Sequence, residues 1–180
     1  MAGHLAADEV DLFLSAIRDC RGLIVFTGVG QNSLLADKVA STYGSLSMRS
    51  TSIDSVALLH GNLGMLREGD LLILLSNSGE TPELLHLVES CKKIGHTDIL
   101  VVHSTPGCTL ERMCARSVHV PTVGEADHLD MVPTASSCCF LAFLQAVAIQ
   151  IAGEQGLTAD DFVATHPGGS IGSTVLEHRS

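Results

Sequence analysis

The chain has 180 residues, a length that suits one domain with a substantial core and is short for two separate domains of ordinary size. Apolar residues make up 46% and charged residues 17% of the sequence, which excludes an intrinsically disordered protein. Ten basic residues against twenty acidic residues give a net charge of −10. This excess of acid argues against a surface for nucleic acid or for an anionic membrane.

The cysteines and the N-terminal segment indicate the compartment. The six cysteines show no CxxC pair and no zinc-like spacing, so we interpret them as buried thiols in a reducing environment. The N-terminal segment is too acidic for a signal peptide, and we find no apolar run that approaches the ~20 residues needed to cross a bilayer. We therefore expect a cytoplasmic protein without a membrane partner.

Predicted strands alternate with predicted helices along the chain. Apolar runs and a less regular segment predict five strands: 23–26, 48–53, 71–75, 99–102 and 118–120. Helical spacing of apolar residues predicts six helical segments: 8–19, 33–46, 55–60, 82–94, 110–115 and 136–152. Continuous apolar strands between helices predict an α/β protein whose parallel sheet is covered on both faces. With no linker or repeat, residues 1–180 are expected to form a single domain.

Three hydroxyl groups stand together where the third predicted strand leads into a helix. Ser76, Ser78 and Thr81 lie around Gly79 at this turn. Unpaired backbone N–H groups and the positive end of the helix dipole make such a turn suitable for an anion. An ordinary helix cap would need one hydroxyl, so three hydroxyls favour a tetrahedral anion such as phosphate.

The first predicted strand also ends in a glycine turn. Gly28 and Gly30 follow it, and Asp54 lies near the spacing of a ribose-binding acid in a dinucleotide fold. The third glycine of that fingerprint is missing, because position 33 is Ser33. A NAD site is therefore the lesser interpretation of this turn.

Five segments follow one another along the chain: GVGQNS, ALLHGNLGML, SNSGETPELL, GEADHLDMVPTASS and THPGGSIG. Together they resemble the SIS (sugar isomerase) domain family, and more narrowly its arabinose-5-phosphate isomerase branch. The resemblance implies a three-layer, flavodoxin-like sandwich around a five-stranded parallel sheet. It also implies a phosphorylated sugar as ligand, no organic cofactor, no required metal, and a homo-oligomer (dimer or tetramer) whose sites include residues of neighbouring chains.

Aldose–ketose isomerisation through an enediol needs a base and groups that open the sugar ring. By resemblance, Glu125 is the first choice for the base, His166 and His60 for ring opening and hydroxyl protons, and Glu80 is a further candidate. From the residues alone, Glu80 is equally suited to cap a helix and Glu125 would face solvent. The resemblance places the substrate-binding residues in three segments: Gly30, Gln31 and Asn32; Ser76, Asn77, Ser78 and Thr81; Thr134, Ser136 and Ser137.

Two departures from the family pattern keep a second function open. The catalytic branch usually reads GxGKS, and this chain has Gln31 at the lysine position. The chain also reads EADHLDMVPT where that branch reads EACPLGLAPT. A non-catalytic sugar-phosphate sensor is therefore the alternative, and a metal site formed by His60, His128 and His166 with Glu125 is a third.

The chain ends fourteen residues after His166, whereas many family members continue into paired CBS modules, so we expect a minimal or truncated form. The remaining histidines are interpreted as structural or exposed: His4, His86, His96, His103, His119 and His178.

Overall fold

The computed structural model describes residues 5–167. In chain order they form α1 (Ala7–Asp19), β1 (Ile24–Gly28), α2 (Gln31–Ser45), β2 (Ser50–Ser52), α3 (Ser55–Leu59), a 3₁₀ helix (Asn62–Met65), β3 (Leu71–Ser76), α4 (Pro82–Lys93), β4 (Ile99–His103), α5 (Thr109–Met113), β5 (Arg116–His119), α6 (Ala135–Glu154) and α7 (Ala159–Thr165). The strands form one parallel sheet in the order β2-β1-β3-β4-β5. The predicted α/β class and five-stranded parallel sheet are confirmed, and the strand order is the flavodoxin-like one.

Two elements have no counterpart among the predicted ones: the 3₁₀ helix and α7. The 3₁₀ helix buries no residue and therefore leaves no apolar stripe in the sequence. The start of α7 is fixed by a capping box, in which Thr158 and Asp161 satisfy each other's backbone N–H groups. The second strand is also shorter than predicted, because pairing with β1 covers only three residues.

Alternate residues of the strands enter two separate cores. Leu71, Ile73 and Leu75 of β3 face the side covered by α1, α2 and α6, whereas Leu72 and Leu74 face α3, α4 and α5. All six residues of β3 are buried, and the first five are apolar, as expected of a strand covered on both faces. Each fully buried leucine contributes about 1.5–3 kcal/mol relative to an exposed one.

The long helix α6 corrects one expectation from the sequence. The helix has 20 residues, and a window of 18 of them has a mean hydropathy of 1.8. The chain therefore does contain a segment long and apolar enough to cross a membrane. In the fold, 44% of that window is buried against the rest of the protein. The Phe143 ring packs against the ring of Phe13 in α1, with 5.1 Å between the ring centroids. The hydroxyl of Tyr43 in α2 donates to the carbonyl of Leu144 at 3.1 Å. α6 is therefore a core helix with one uncovered side, on which Ile149 is 66% exposed.

The cysteines only partly match the prediction. All six are free thiols, and Cys91 and Cys108 are buried as expected. Cys138 is exposed, because it lies on the side of α6 that faces away from the sheet.

Helix α6 runs from the carboxyl edge of the sheet to its amino edge. At the amino edge, Gly22 donates to the carbonyl of Gly69, just before β1 and β3 begin. The C-terminal ends of α1 and α6 meet there, since Arg18 contacts Glu154 at 2.7 Å. The N terminus of α6 therefore lies at the opposite edge, where the parallel strands end.

Candidate active site

The sheet forms a crevice where β1 and β3 end side by side. Gly28 is paired with Leu75, so the two strands end at the same level. The helices that follow diverge, because α2 packs on one face of the sheet and α4 on the other. In open parallel sheets such a divergence is where ligands bind.

The β1–α2 turn forms one wall of the crevice. A Cβ atom on Gly28 would lie 2.7 Å from the Cβ of Asn32, so only glycine permits this close approach of helix to strand. Gly30 has a φ of 60° and precedes Gln31, the exposed first residue of α2. No side chain of the described chain caps the N terminus of this helix.

The three hydroxyls of the β3–α4 loop differ in environment. Ser76 is 1% exposed, and its Oγ lies 3.1 Å from Thr81 Oγ1 and accepts from the N–H of Gly79 at 3.1 Å. Ser78 is exposed, and its Oγ accepts from the N–H of Glu80 at 3.2 Å. Ser76 and Thr81 therefore hold the loop in shape, whereas Ser78 offers its hydroxyl to the solvent.

The same loop is bonded to the segment after β4. The carbonyl of Asn77 accepts from the N–H of Ser104 at 3.0 Å, and Glu80 Oε1 accepts from the N–H of Thr109 at 2.7 Å. Hydrogen bonding to Thr109 lowers the pKa of Glu80. Glu80 thus caps α5, a neighbouring helix, and not α4, the helix that it precedes and to which the capping alternative from the sequence referred.

Glu125 holds the N terminus of α6. Its Oε2 accepts from the N–H of Thr134 at 2.8 Å, from Thr134 Oγ1 at 3.1 Å and from the N–H of Ser136 at 3.2 Å. Its Oε1 accepts from Ser136 Oγ. Burial opposes ionisation of this carboxyl, but the hydrogen bonds from Ser136 and Thr134 outweigh it and lower the pKa of Glu125. Glu125 is therefore an oriented carboxylate rather than the solvent-facing acid that its polar loop suggested.

Helices α2 and α6 run in the same direction and are in contact, since Gln145 Nε2 donates to Thr42 Oγ1 at 3.4 Å. Gln31, the first residue of α2, and Thr134, the N-cap of α6, therefore both lie at the carboxyl edge of the sheet. Ser137 lies in the first turn of α6 on the same end.

The two candidate histidines lie apart from Glu125 in the single chain. His60 is exposed at the end of α3, on the sheet face opposite α6. His166 follows α7, and its ring stacks on that of Phe162 with 3.9 Å between the ring centroids. Its neighbour Thr165 shares a groove with Ser47, which precedes β2 at the amino edge.

The suggested metal set of His60, His128 and His166 with Glu125 is therefore not assembled within one chain. Among residues 5–167, the metal-ligating side chains that converge are instead His103, Cys108 and Glu111. The sequence predicts only a structural or exposed role for His103, since no motif spacing marks it. Residues 168–172 of the THPGGSIG segment, His4 and His178 lie outside the described residues.

The structure argues against a dinucleotide site, because Asp54, the candidate ribose-binding acid, is bonded elsewhere. Asp54 Oδ1 accepts from the N–H groups of Val56 at 2.9 Å and Ala57 at 3.0 Å, so this carboxylate caps α3.

Two buried hydroxyls near the carboxyl edge carry no signal in the sequence. They belong to Thr27 and Ser55, and neither has a hydrogen-bond partner within residues 5–167.

Residues 16–149 match the SIS domain family. The chain belongs to the SIS domain family. Arabinose 5-phosphate isomerase KpsF of Escherichia coli O6:H1 is 31% identical over 176 residues, which cover 98% of this chain and 54% of that protein. The uncharacterized protein RP505 of Rickettsia prowazekii is 35% identical over 157 residues, which cover 87% of this chain and 49% of that protein. This SIS domain chain thus spans about half the length of the curated relatives it matches.

Solved structures agree with this assignment. The structure of an E. coli CFT073 protein in complex with a sugar phosphate has a TM-score of 0.85 and 34% identity, covering 89% of this chain and 85% of that one. A sugar-phosphate isomerase structure from Listeria monocytogenes, described as putative, has a TM-score of 0.85 and 28% identity, covering 91% and 85%. The flavodoxin-like SIS fold is confirmed, and several homologues of this SIS domain are named as sugar-phosphate isomerases.

Proposed function

We propose that residues 1–180 form one SIS domain that isomerises a phosphorylated sugar between aldose and ketose, with arabinose 5-phosphate and ribulose 5-phosphate as the representative pair. The observation that carries this proposal is the crevice between the β1–α2 turn and the β3–α4 loop. It stands at the position where the fold binds ligands, and a structural relative is described in complex with a sugar phosphate. The proposed setting is the cytoplasm, and no organic cofactor takes part.

The phosphate is assigned to the β3–α4 loop. Ser78 presents an exposed hydroxyl, and no side chain of the described residues caps the N terminus of α4. Backbone N–H groups at such a terminus favour an anion. With Gln31 in place of lysine, the phosphate depends on these neutral donors, each bond to the charged group contributing about 1.5–3 kcal/mol.

Glu125 is the proposed base. Its carboxylate takes the proton from the carbon next to the carbonyl, giving the enediol, and returns it to the adjacent carbon as the carbonyl moves. The hydrogen bonds from Thr134 and Ser136 fix the direction of the carboxylate. They also reduce its basicity, so the substrate has to displace part of this bonding for rapid proton transfer.

Ring opening is assigned to His166 and His60, and the part of His166 requires more than one chain. Because His166 lies at the amino edge, it reaches a carboxyl-edge site only on a neighbouring copy of the protein. We therefore propose a homo-oligomer, a dimer or a tetramer, in which the uncovered side of α6 is buried. An apolar groove supports this proposal, since it is lined by Leu5, Val10, Leu14, Phe143 and Val147.

Deuterium wash-in from heavy water with a panel of pentose and hexose phosphates tests the reaction. Exchange at the carbon next to the carbonyl is expected for at least one sugar phosphate. Glu125→Gln should reduce exchange roughly 10²–10⁴-fold with little change in affinity. Ser78→Ala should weaken binding about 10- to 150-fold, following the value of one charged hydrogen bond. Ser41→Ala, an exposed serine in α2, is the matched control and should change neither quantity.

The alternative function is a sugar-phosphate sensor without catalysis. It is favoured by the bonding of both Glu125 oxygens, by the use of Glu80 as a cap, and by the neutral Gln31. Calorimetric binding of a sugar phosphate without any deuterium exchange in the wild-type protein would establish the sensor and refute the isomerase.

A further inference from the structure

A cluster of three metal-ligating side chains surrounds the loop between β4 and α5. His103 ends β4, Cys108 precedes α5, and Glu111 lies in the first turn of α5. One ligand atom from each of these residues lies within 4.8 Å of the other two. His103 is 1% and Cys108 2% exposed, whereas the Glu111 side chain is 37% exposed at the mouth of the cluster.

The imidazole of His103 is oriented as a metal ligand. Its Nδ1 lies 3.0 Å from the carbonyl oxygen of Thr105, which can only accept, so Nδ1 carries the proton. The lone pair therefore resides on Nε2, which is buried and has no hydrogen-bond partner among residues 5–167. Glu111 Oε2 lies 3.9 Å away, beyond hydrogen-bond distance. A carbonyl that fixes the other ring nitrogen is the usual support of a metal-bound histidine.

The thiol of Cys108 is also held at the cluster. Cys108 is a free thiol, and the lack of a side chain at Gly79 is what lets its sulfur pack against the backbone of the β3–α4 loop. A Cβ atom on Gly79 would lie 2.1 Å from Cys108 Sγ. The sulfur is therefore confined beside the imidazole.

The donor set selects the ion. One imidazole nitrogen, one thiolate and one carboxylate suit Zn²⁺, whereas Mg²⁺ and Ca²⁺ prefer oxygen ligands only. Bond lengths of about 2.0–2.3 Å place neighbouring ligand atoms of a tetrahedral site roughly 3.3–3.8 Å apart. The partly exposed Glu111 side chain can close the remaining gap, and a water molecule completes the fourth position.

We propose that His103, Cys108 and Glu111 bind one Zn²⁺ ion. The effect of the ion extends to the β3–α4 loop, to which the phosphate is assigned above. The carbonyl of Gly79 accepts from the N–H of Leu110 at 3.1 Å, one residue from the Glu80 cap of α5. A bound ion therefore fixes the β4–α5 segment that supports the loop.

Titration of the metal-free full chain with Co²⁺, followed by competition with Zn²⁺, tests the site. The expected result is one equivalent of Co²⁺ with a thiolate-to-cobalt charge-transfer band, which Zn²⁺ bleaches. Cys108→Ser should abolish this band, and His103→Gln and Glu111→Gln should weaken Zn²⁺ binding at least tenfold. Cys138→Ser removes an exposed cysteine outside the cluster and should leave the band unchanged.

Thermal unfolding of the metal-free variants separates loss of the site from loss of the fold. Glu111→Gln changes a side chain outside the core, so its metal-free melting temperature should match the wild type while its Zn²⁺ affinity falls. The proposal is overturned if the wild type takes up no metal, in which case a water molecule is the partner of His103 Nε2. It is also overturned if the charge-transfer band survives in Cys108→Ser or disappears in Cys138→Ser.

Discussion

The contact between Gly79 and Cys108 allows the geometry of the β3–α4 loop to be tested by measurements of protein stability. Gly79 has a φ of 66°, and an added Cβ atom would lie 2.1 Å from Cys108 Sγ and 2.5 Å from its Cβ. Gly79→Ala therefore incurs two costs. The left-handed backbone costs about 1–2 kcal/mol for a residue with a Cβ atom, and crowding in a packed interior costs about 1–3 kcal/mol more.

Gly95→Ala is the matched control for the backbone cost. Gly95 has a φ of 83°, and nothing lies within 4 Å of the position of its added Cβ atom. It should therefore lose only the first contribution, about 1–2 kcal/mol. The difference between the two variants measures the crowding against Cys108.

Urea unfolding at one fixed protein concentration gives both free energies. Gly79→Ala is expected to be less stable than Gly95→Ala by about 1–3 kcal/mol. In the Gly79→Ala background, Cys108→Ala should recover part of the loss, because it removes the sulfur but keeps the Cβ contact. Equal losses in Gly79→Ala and Gly95→Ala would refute the packing of this loop against the segment after β4.

Three further predictions concern charge and assembly. Bonding to Arg18 lowers the pKa of Glu154 from 4.5 to about 2. The pair therefore stabilises the fold fully above pH 4.5 and loses this effect as the pH falls towards 2. The urea midpoints measured at about pH 5 and about pH 3 should differ more in the wild type than in Glu154→Gln. Ile149→Lys places a charge on the uncovered side of α6. Light scattering should show an assembly heavier than the 18.9 kDa chain for the wild type and a single chain for the variant. A monomeric wild type would contradict the proposed oligomer. Gln31→Lys adds a cation at the start of α2, on the β1–α2 wall of the crevice, so calorimetry should show about tenfold or greater gain in sugar-phosphate affinity, and an unchanged affinity would place the phosphate elsewhere.

The fold was accessible from the sequence because its signals are local. The apolar run of β3 and the glycine turn after β1 identify a buried parallel strand and a tight strand-to-helix turn without knowledge of distant residues. The polar loop that carries Glu125 gives no such signal. Its carboxylate is bonded by Thr134 and Ser136, nine and eleven positions away, and only the folded loop brings them together.

The location of the histidines also depends on long-range structure. His166 stands in a motif shared with the family, but its position at the amino edge follows from the direction of α6, which carries the chain across the whole sheet. His103 gave no signal, because the residues around it are ordinary for a strand end. Only the folded structure brings Cys108 and Glu111 beside its Nε2, which has no hydrogen-bond partner in the part of the chain that the structure describes.

The division into two cores sets an order for folding during synthesis. The face covered by α3, α4 and α5 is complete once residue 113 has left the ribosome. The other face also needs α6, so part of the apolar surface of α1, α2 and the sheet stays uncovered until residue 154 has emerged. In a nascent chain of intermediate length, one face of the sheet is therefore covered and the other exposes apolar side chains, the kind of surface that chaperones bind. Slow translation between these two points would prolong the stage at which the protein is most prone to aggregate.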